Sequence, residues 1–359
     1  MEKIIGVLGA SGFVGKNLVN ELIENTKNNI IVASRKQKKL QEMYHKCERI
    51  TDVFAVDARD KKSLRKFYAE IDMIINCSSP APHMRTIPAE MAVEESIPYV
   101  ESSVSLLNEH EKNIREIDQN AKEQNILMVT GAGVFPGLSR VLLQLAATTF
   151  DTVDTIKISV LFNDRLSIGS AVDMLVESQK CVAVFENGTW ISLRLGSLRE
   201  TMCFPPPFHT QHVYASPPVD TQLHFPKNIQ NFSLKTGTCN IVSDAILLTH
   251  SINADSYTLT KIMGRALKYV SEINQYFAPC GCVMRMDASG KKKECTKNMN
   301  VTLYHPNTFS ATASVIAQGV DFLLKNKVKE AGVFTFGEVM NSMELLHQLR
   351  LKNFFVKGI

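Results

Sequence analysis

The sequence predicts an α/β chain, a doubly wound parallel sheet with an inserted second α/β domain built on a mixed sheet. Three observations predict it. Apolar, β-branched runs alternate with amphipathic helical runs through the first 130 residues. A glycine-rich turn joins the first of these strands to the first helix. From Thr155 onward the rhythm changes to β-branched stretches parted by proline-rich breakers, as expected of a mixed or antiparallel sheet.

Taken in order, Lys3 to Leu8 reads as a buried parallel strand and Lys16 to Glu24 as an amphipathic helix. Between them runs Gly9-Ala-Ser-Gly12-Phe-Val-Gly15. Strand, glycine turn and helix in that order form the context of a Rossmann dinucleotide site. Gly9 allows the tight turn, Gly12 lets the backbone approach a pyrophosphate, and Gly15 lets the helix pack on the strand. The helix N-terminus then offers its N–H groups and dipole to the negative charge. The cofactor contacts expected here are Gly9, Ser11, Gly12, Phe13, Val14 and Gly15.

The second strand, Asn28 to Ala33, ends in Ser34-Arg35-Lys36. An NAD site places a carboxylate there for the ribose 2′-hydroxyl, yet no carboxylate occurs between Glu24 and Glu42. A hydroxyl, a guanidinium and an ammonium stand instead where a 2′-phosphate would lie, and the planar fork of Arg suits phosphate. The expected cofactor is therefore NADP(H), held by Ser34, Arg35 and Lys36, while Lys38 and Lys39 read as the solvated start of a helix.

The alternation continues with a strand Val53 to Val56, Asp57, and a helix around Lys62 to Tyr68. A fourth strand, Ile71 to Cys77, leads into the turn Ser78-Ser79-Pro80-Ala81-Pro82. A helix over Pro88 to Glu95, a short strand Pro98 to Val100, a polar helix Asn108 to Gln124 and a strand Ile126 to Val129 follow. In the second region the strands are Thr155 to Phe162, Trp190 to Leu195, Thr221 to Phe225 and Val301 to Tyr304, with Asn187-Gly188 as a hairpin turn. Thr308 to Leu324 and Gly337 to Leu349 are helical and expected to return to the first domain. The domains expected are thus residues 1–130, completed by 305–359, and a substrate and dimerisation domain over 131–304.

A net charge of +4 over 359 residues gives no ground for a nucleic-acid or membrane partner. No run of 18 apolar residues is present, and the start does not resemble a signal peptide. Eight scattered cysteines without a C-x-x-C point to free thiols in a reducing cytoplasm. Cys280-Gly-Cys282, with Cys295 and His305, fits no zinc spacing, and no metal is expected.

Five further strings carry a resemblance. They are Val56-Asp57 with Asp60 and Leu64, Asp72 to Pro80 (DMIINCSSP), Ile97 to Ser102 (IPYVES), Gly131 to Ser139 (GAGVFPGLS) and Gly332 to Glu338 (GVFTFGE). In this order they resemble the saccharopine dehydrogenase-like reductase family. The resemblance implies Asp57 beside the adenine, and Cys77, Ser78, Ser79 and Pro80 under the cofactor. It also implies a small-molecule substrate, a homodimer, and reduction of imines to secondary amines. The chain departs from the family at Phe135 and Glu101, where an aspartate is usual, and at Ser103-Val104-Ser105, where the usual acid is absent.

The catalytic candidates are Glu101, Tyr99 and His83. Glu101 follows a parallel strand at the carboxyl edge, placed to orient an ammonium or iminium or to cap the next turn. Tyr99, two residues earlier, points the same way as a proton donor or a core ring. His83 lies in the loop after Pro80, as a proton donor or an exposed loop residue. The Tyr257-x-x-x-Lys261 string reads as chance spacing, since it opens a helix in the second domain. Phe204 to Asp220 is a long irregular stretch, either a pocket wall with His209 or His212 at the ligand or an ordered linker. The function expected is an NADP(H)-dependent oxidoreductase acting on a C=N bond of an amino-acid or polyamine conjugate. The alternatives are reduction of C=O or C=C, and a non-catalytic NADP(H)-binding redox sensor.

Overall fold

The computed structural model describes residues 3–84, 86–104, 106–108, 111–194, 196–218, 224–252, 257–326 and 330–358. The chain divides into two compact units, Met1–Leu138 with Thr312–Asn341, and Ser139–Ala311 with Ser342–Ile359.

The first unit opens with β1 (Ile4–Leu8), α1 (Phe13–Asn25), β2 (Asn29–Ser34), α2 (Gln37–Tyr44) and β3 (Ile50–Ala55). It continues through α3 (Lys61–Tyr68), β4 (Met73–Asn76), α4 (Ala81–Met84), α5 (Ile87–Glu94), β5 (Tyr99–Glu101), α6 (Glu111–Glu123) and β6 (Leu127–Thr130). The inner strands are apolar because both faces are covered, and Ile5, Val7, Ile30, Val32, Ile74 and Ile75 have at most a trace of exposure. α3 starts on a polar signal: Asp60 accepts from the backbone N–H groups of Lys62 and Ser63 at 3.1 and 3.3 Å, while Leu64 and Phe67 of α3 turn into the core.

The second unit contains α7 (Ser139–Thr149), β7 (Thr152–Asn163), α8 (Ile168–Ser178), β8 (Val182–Glu186), β9 (Thr189–Leu193), β10 (Glu200–Cys203) and β11 (Thr210–Ala215). After these come β12 (Phe232–Gly237), α9 (Ile241–Ile252), α10 (Tyr257–Asn274), β13 (Gly281–Lys292) and β14 (Cys295–His305). The division between the units falls within α11 (Thr308–Asn326). Then β15 (Gly332–Thr335) and α12 (Phe336–Val339) lie in the first unit, and α13 (Ser342–Arg350) and β16 (Phe355–Lys357) in the second.

Among the described residues, the first sheet has seven parallel strands in the order β15-β6-β5-β4-β1-β2-β3. The chain winds outward from β1 in one direction and from β4 in the other. Their carboxyl ends, side by side, are the switch point at which such sheets bind ligands. The second sheet is mixed, ordered β10-β11-β12-β7-β13-β14-β16 with β8 and β9 appended on β12. Only β12 and β7 run parallel within it among the described pairs.

Asn187 and Gly188 both take positive φ, 49° and 82°, and close the β8–β9 hairpin as their sequence predicts. Three expectations need correction. Of residues 305–359, only 312–341 join the first unit, because β16 pairs with β14 and the buried Leu346, Leu349 and Phe354 find their neighbours in the second. The stretch Phe204 to Asp220 is not irregular throughout: Thr210–Ala215 form β11, paired with β10, and Phe204 and Phe208 are buried in the core with Leu161 and Val283, as the ordered-linker alternative requires. The helix expected over Gly337 to Leu349 is broken at Met340, whose backbone is extended. The strand expected at Thr221 to Phe225 has its first three residues outside the described residues.

Candidate cofactor site

The turn after β1 lies at the carboxyl edge of the first sheet, beside the ends of β2 and β4. Gly9 has φ 84°, and its N–H donates to the carbonyl of Ala33 at 2.8 Å, so β1 and β2 end together. A Cβ on Gly9 would lie 2.7 Å from the backbone of Cys77 and Ser78, where the loop after β4 passes. A Cβ on Gly15 would press into the carbonyl oxygen of Gly9. Gly12 is the N-cap of α1, its N–H donating to Gly9 at 2.9 Å. No side chain caps α1 and no acid stands in its first turn, so the positive end of the helix keeps its anion-binding character. Gly9, Ser11, Gly12, Phe13, Val14 and Gly15 thus form one loop and helix start.

At the end of β2, Ser34 is buried and accepts from the N–H of Lys36 at 3.3 Å. Arg35 and Lys36 are exposed beside it. Asp57, just past β3, accepts from Arg59 Nε at 3.0 Å and Nη2 at 2.7 Å. The Arg59 hydrogen bond, with a smaller contribution from the Arg35 charge, holds its pKa down at about 2. Arg59 is thus bonded to Asp57, with Arg35 acting on it through charge alone, and Arg59 is a cation that the sequence pattern did not single out.

α2 adds more than a solvated start. Lys39 reaches back so that its ammonium donates to the carbonyl of Ser11 at 3.2 Å, and the buried Tyr44 hydroxyl donates to Ala10 at 3.2 Å. The reading of Lys39 as merely solvated is corrected, because a four-carbon stem spans from α2 to the glycine turn. A lysine one turn after Ser-Arg was the available signal.

On the other side of the switch point, Cys77 is buried, which pushes its thiol up to about 12. The peptide Ser79–Pro80 is cis. Asn76 organises this loop: its Oδ1 accepts from the Ser78 N–H at 3.0 Å and from the Ser78 hydroxyl. Its Nδ2 donates to the Tyr99 hydroxyl at 2.9 Å, which donates in turn to Glu101 Oε2 at 2.9 Å. Glu101 Oε1 accepts from the Thr130 hydroxyl at 2.5 Å and from the Leu106 N–H at 3.1 Å. Glu101, Tyr99 and Thr130 have no exposed surface. Burial, with the Glu101 charge behind it, raises the Tyr99 pKa well above its ordinary value.

The roles of Glu101 and Tyr99 at a substrate are corrected accordingly: both are turned into the sheet and bonded to the chain's own groups. The capping alternative for Glu101 fits its bond to the Leu106 N–H. Asn76 and Thr130 were missed, since a polar residue at the end of an apolar strand carries no motif. His83 falls within α4 rather than in a loop, and its side chain lies outside the described residues. In the second unit His212 is exposed on β11, 3.2 Å from the Thr201 hydroxyl, and His209 is exposed in the turn before it. Lys261 follows Tyr257 on α10, with the Tyr257 side chain outside the described residues.

The model of the saccharopine dehydrogenase NADP binding domain matches residues 5–129, the stretch that carries the glycine turn, the basic end of β2 and the loop after β4. Over these residues the chain resembles the saccharopine dehydrogenases. Its cofactor is NADP(H), and it is an NADP(H)-dependent oxidoreductase. Apo saccharopine dehydrogenase (L-Glu forming) from Saccharomyces cerevisiae is similar in fold, with a TM-score of 0.70 at 14% identity, over 99% of this chain and 100% of that one. A mutant meso-dapdh with DAP, from Clostridium tetani E88, gives 0.50 at 12% identity, over 98% of this chain and 99% of that one. No curated protein matches in sequence. Among the described residues, no helix is long and apolar enough to cross a membrane.

Proposed function

We propose that this saccharopine dehydrogenase-like chain exchanges a hydride between NADP(H) and a C=N bond of an amino-acid or polyamine conjugate. The nicotinamide supplies the hydride when bound, so the chain has to bind, orient and exclude water. Gly9 to Gly15 cradle the pyrophosphate, Ser34, Arg35 and Lys36 hold the 2′-phosphate with Lys39 beside them, and Asp57 lies toward the adenine. Ser78, Ser79 and Pro80 back the nicotinamide, and Glu101, Tyr99 and Asn76 are positioning residues that fix Ser78. The observation that carries the reading is the acid-free, cationic end of β2 next to a glycine turn in which Gly9 and Gly15 leave no room for a Cβ. The amino-acid conjugate class draws on the likeness to a saccharopine dehydrogenase and to a meso-dapdh with DAP.

One observation favours the alternative of a non-catalytic NADP(H) sensor: the carboxylate and phenol nearest the switch point are both withdrawn into the sheet. Calorimetric titration with NADPH and NADH separates the possibilities. Arg35→Ala is expected to weaken NADPH by roughly 10- to 100-fold with NADH unchanged, since only NADPH carries the 2′-phosphate, and Lys39→Met to weaken NADPH by a few-fold. Equal affinity for both cofactors in wild type would overturn the cofactor assignment. NADPH consumption with a panel of oxo-acid and amine pairs supports the reductase, whereas tight binding with no turnover supports the sensor.

A further inference from the structure

We infer that Asp244, Arg199 and His212 form a binding site in the second unit for the zwitterionic head group of an α-amino acid. The base of the site is a carboxylate buried without a counter-ion. Asp244 lies in the first turn of α9 and is 8% exposed. Its Oδ1 accepts from the Thr238 N–H at 3.1 Å and from the Thr238 hydroxyl at 2.7 Å. Both donors are neutral, and Oδ2 accepts from no group among the described residues. Taking a carboxylate out of water with no cation bonded to it is costly. Burial accordingly raises the Asp244 pKa above its ordinary value, against the hydrogen bonds from Thr238 and the charges of His212 and Arg199. Burial, with the Asp244 charge behind it, also pushes the Cys239 thiol up to about 12, so that group stays neutral.

The elements around Asp244 bring in the opposite charge. Leu248 follows it by one turn on the same face of α9. A Cβ on Gly196 would lie 2.9 Å from Leu248, so the segment leading to Arg199 passes along that face. A Cβ on Gly237 would press into the His212 carbonyl, which sets β11 against the residue before Thr238. Arg199 and His212 are exposed, and Arg199 makes no ion pair among the described residues. Thr201 faces His212 across the β10–β11 ladder, its hydroxyl 3.2 Å from Nδ1. With that hydroxyl as donor, the Nε2–H of His212 is left for a ligand. The site thus has a buried anionic base and an exposed cationic rim.

This order of charges names the ligand class. An ammonium donates to Oδ2 of Asp244, and a carboxylate accepts from the Arg199 fork and from His212. A polyamine, cationic throughout, would suit Asp244 and be repelled by Arg199. A dicarboxylate would suit Arg199 and be repelled by Asp244. The head group of an amino acid carries both charges and meets both residues.

The test is calorimetry of the whole chain with the common L-amino acids, one at a time at millimolar concentration. Cadaverine and glutarate serve as probes of a single charge. At least one amino acid is expected to bind, more tightly than either probe. Asp244→Asn, which keeps an acceptor for Thr238, is expected to weaken it by roughly 10- to 100-fold, and Arg199→Ala by about tenfold. A urea midpoint checks that each variant folds, and Arg199, being exposed, reads the site even where Asp244→Asn does not fold. Binding by no amino acid, or binding indifferent to Arg199→Ala, overturns the proposal. So does cadaverine binding more tightly than every amino acid, which would make this a site for diamines. The cofactor reading is independent, because the residues proposed for it fall in the first unit. Its failure would show in the NADPH titration and leave amino-acid binding unchanged.

Discussion

At the scale of single residues, the first unit separates the groups that face a cofactor from those that aim them. Arg35 and Lys36 are exposed to meet phosphate, and Lys39 beside them ties α2 to the glycine turn. Asn76, Tyr99, Glu101 and Thr130 form the opposite case, a buried chain of hydrogen bonds in which every member satisfies the next. Removing one hydroxyl there leaves an amide and a carboxylate short of a partner. Tyr99→Phe is expected to destabilise the fold by about 1–3 kcal/mol, read as a lower midpoint in urea. A midpoint unchanged from wild type would remove Tyr99 from the network. The placement of Glu101 shows where sequence reading ended. The end of a parallel strand could be located from its apolar run, but which way a carboxylate turns depends on Thr130, 29 residues away, and on the Leu106 N–H.

At the scale of elements, periodicity made the first sheet legible, because a strand buried on both faces is a plain apolar run and each helix shows one buried stripe. The second sheet was harder. β14 begins Cys-Thr-Lys-Asn-Met-Asn, largely exposed, and is held by its long pairing with β13 rather than by any apolar pattern. Of the α8, α9 and α10 layer only the helix opening at Tyr257 was anticipated, and the layer contains a buried histidine. His250 Nδ1–H donates to the carbonyl of Leu175 at 3.2 Å, leaving Nε2 to accept from the Thr260 hydroxyl at 2.9 Å. Burial lowers its pKa below the ordinary 6.5. As pH falls below that value the unfolded chain takes up a proton that the folded layer refuses. The stability His250 contributes is thus present above about pH 6.5 and lost as pH falls from there toward the folded value. The melting temperature of wild type is expected to drop between pH 7.5 and 5.5, and His250→Gln to show a flatter drop from a lower start. Parallel slopes for the two proteins would exclude His250 as the cause.

At the scale of the whole molecule, the chain crosses between its units three times, at 138/139, 311/312 and 341/342. The last crossing was illegible because α13 and β16 carry no motif. Their destination is fixed by partners: Ser342 donates to the Val141 carbonyl at 3.2 Å, and the ring of Phe354 lies 4.9 Å from His305. The segments proposed to hold the cofactor, 9–15, 34–39 and 77–80, all fall in the first unit. A ligand that binds only the folded form stabilises it by about 2.7 kcal/mol at a hundredfold excess over Kd. That stabilisation belongs to the unit that makes the contacts. Hydrogen exchange with saturating NADP⁺ is therefore expected to slow most in those three segments and in β1, β2 and β4 beneath them. The β13–β14 hairpin, held by its own ladder within the second sheet, is expected to exchange as it does without cofactor. Protection of equal size in that hairpin would show that the cofactor's binding energy spreads through the second unit as well, and the three segments would then not account for it alone.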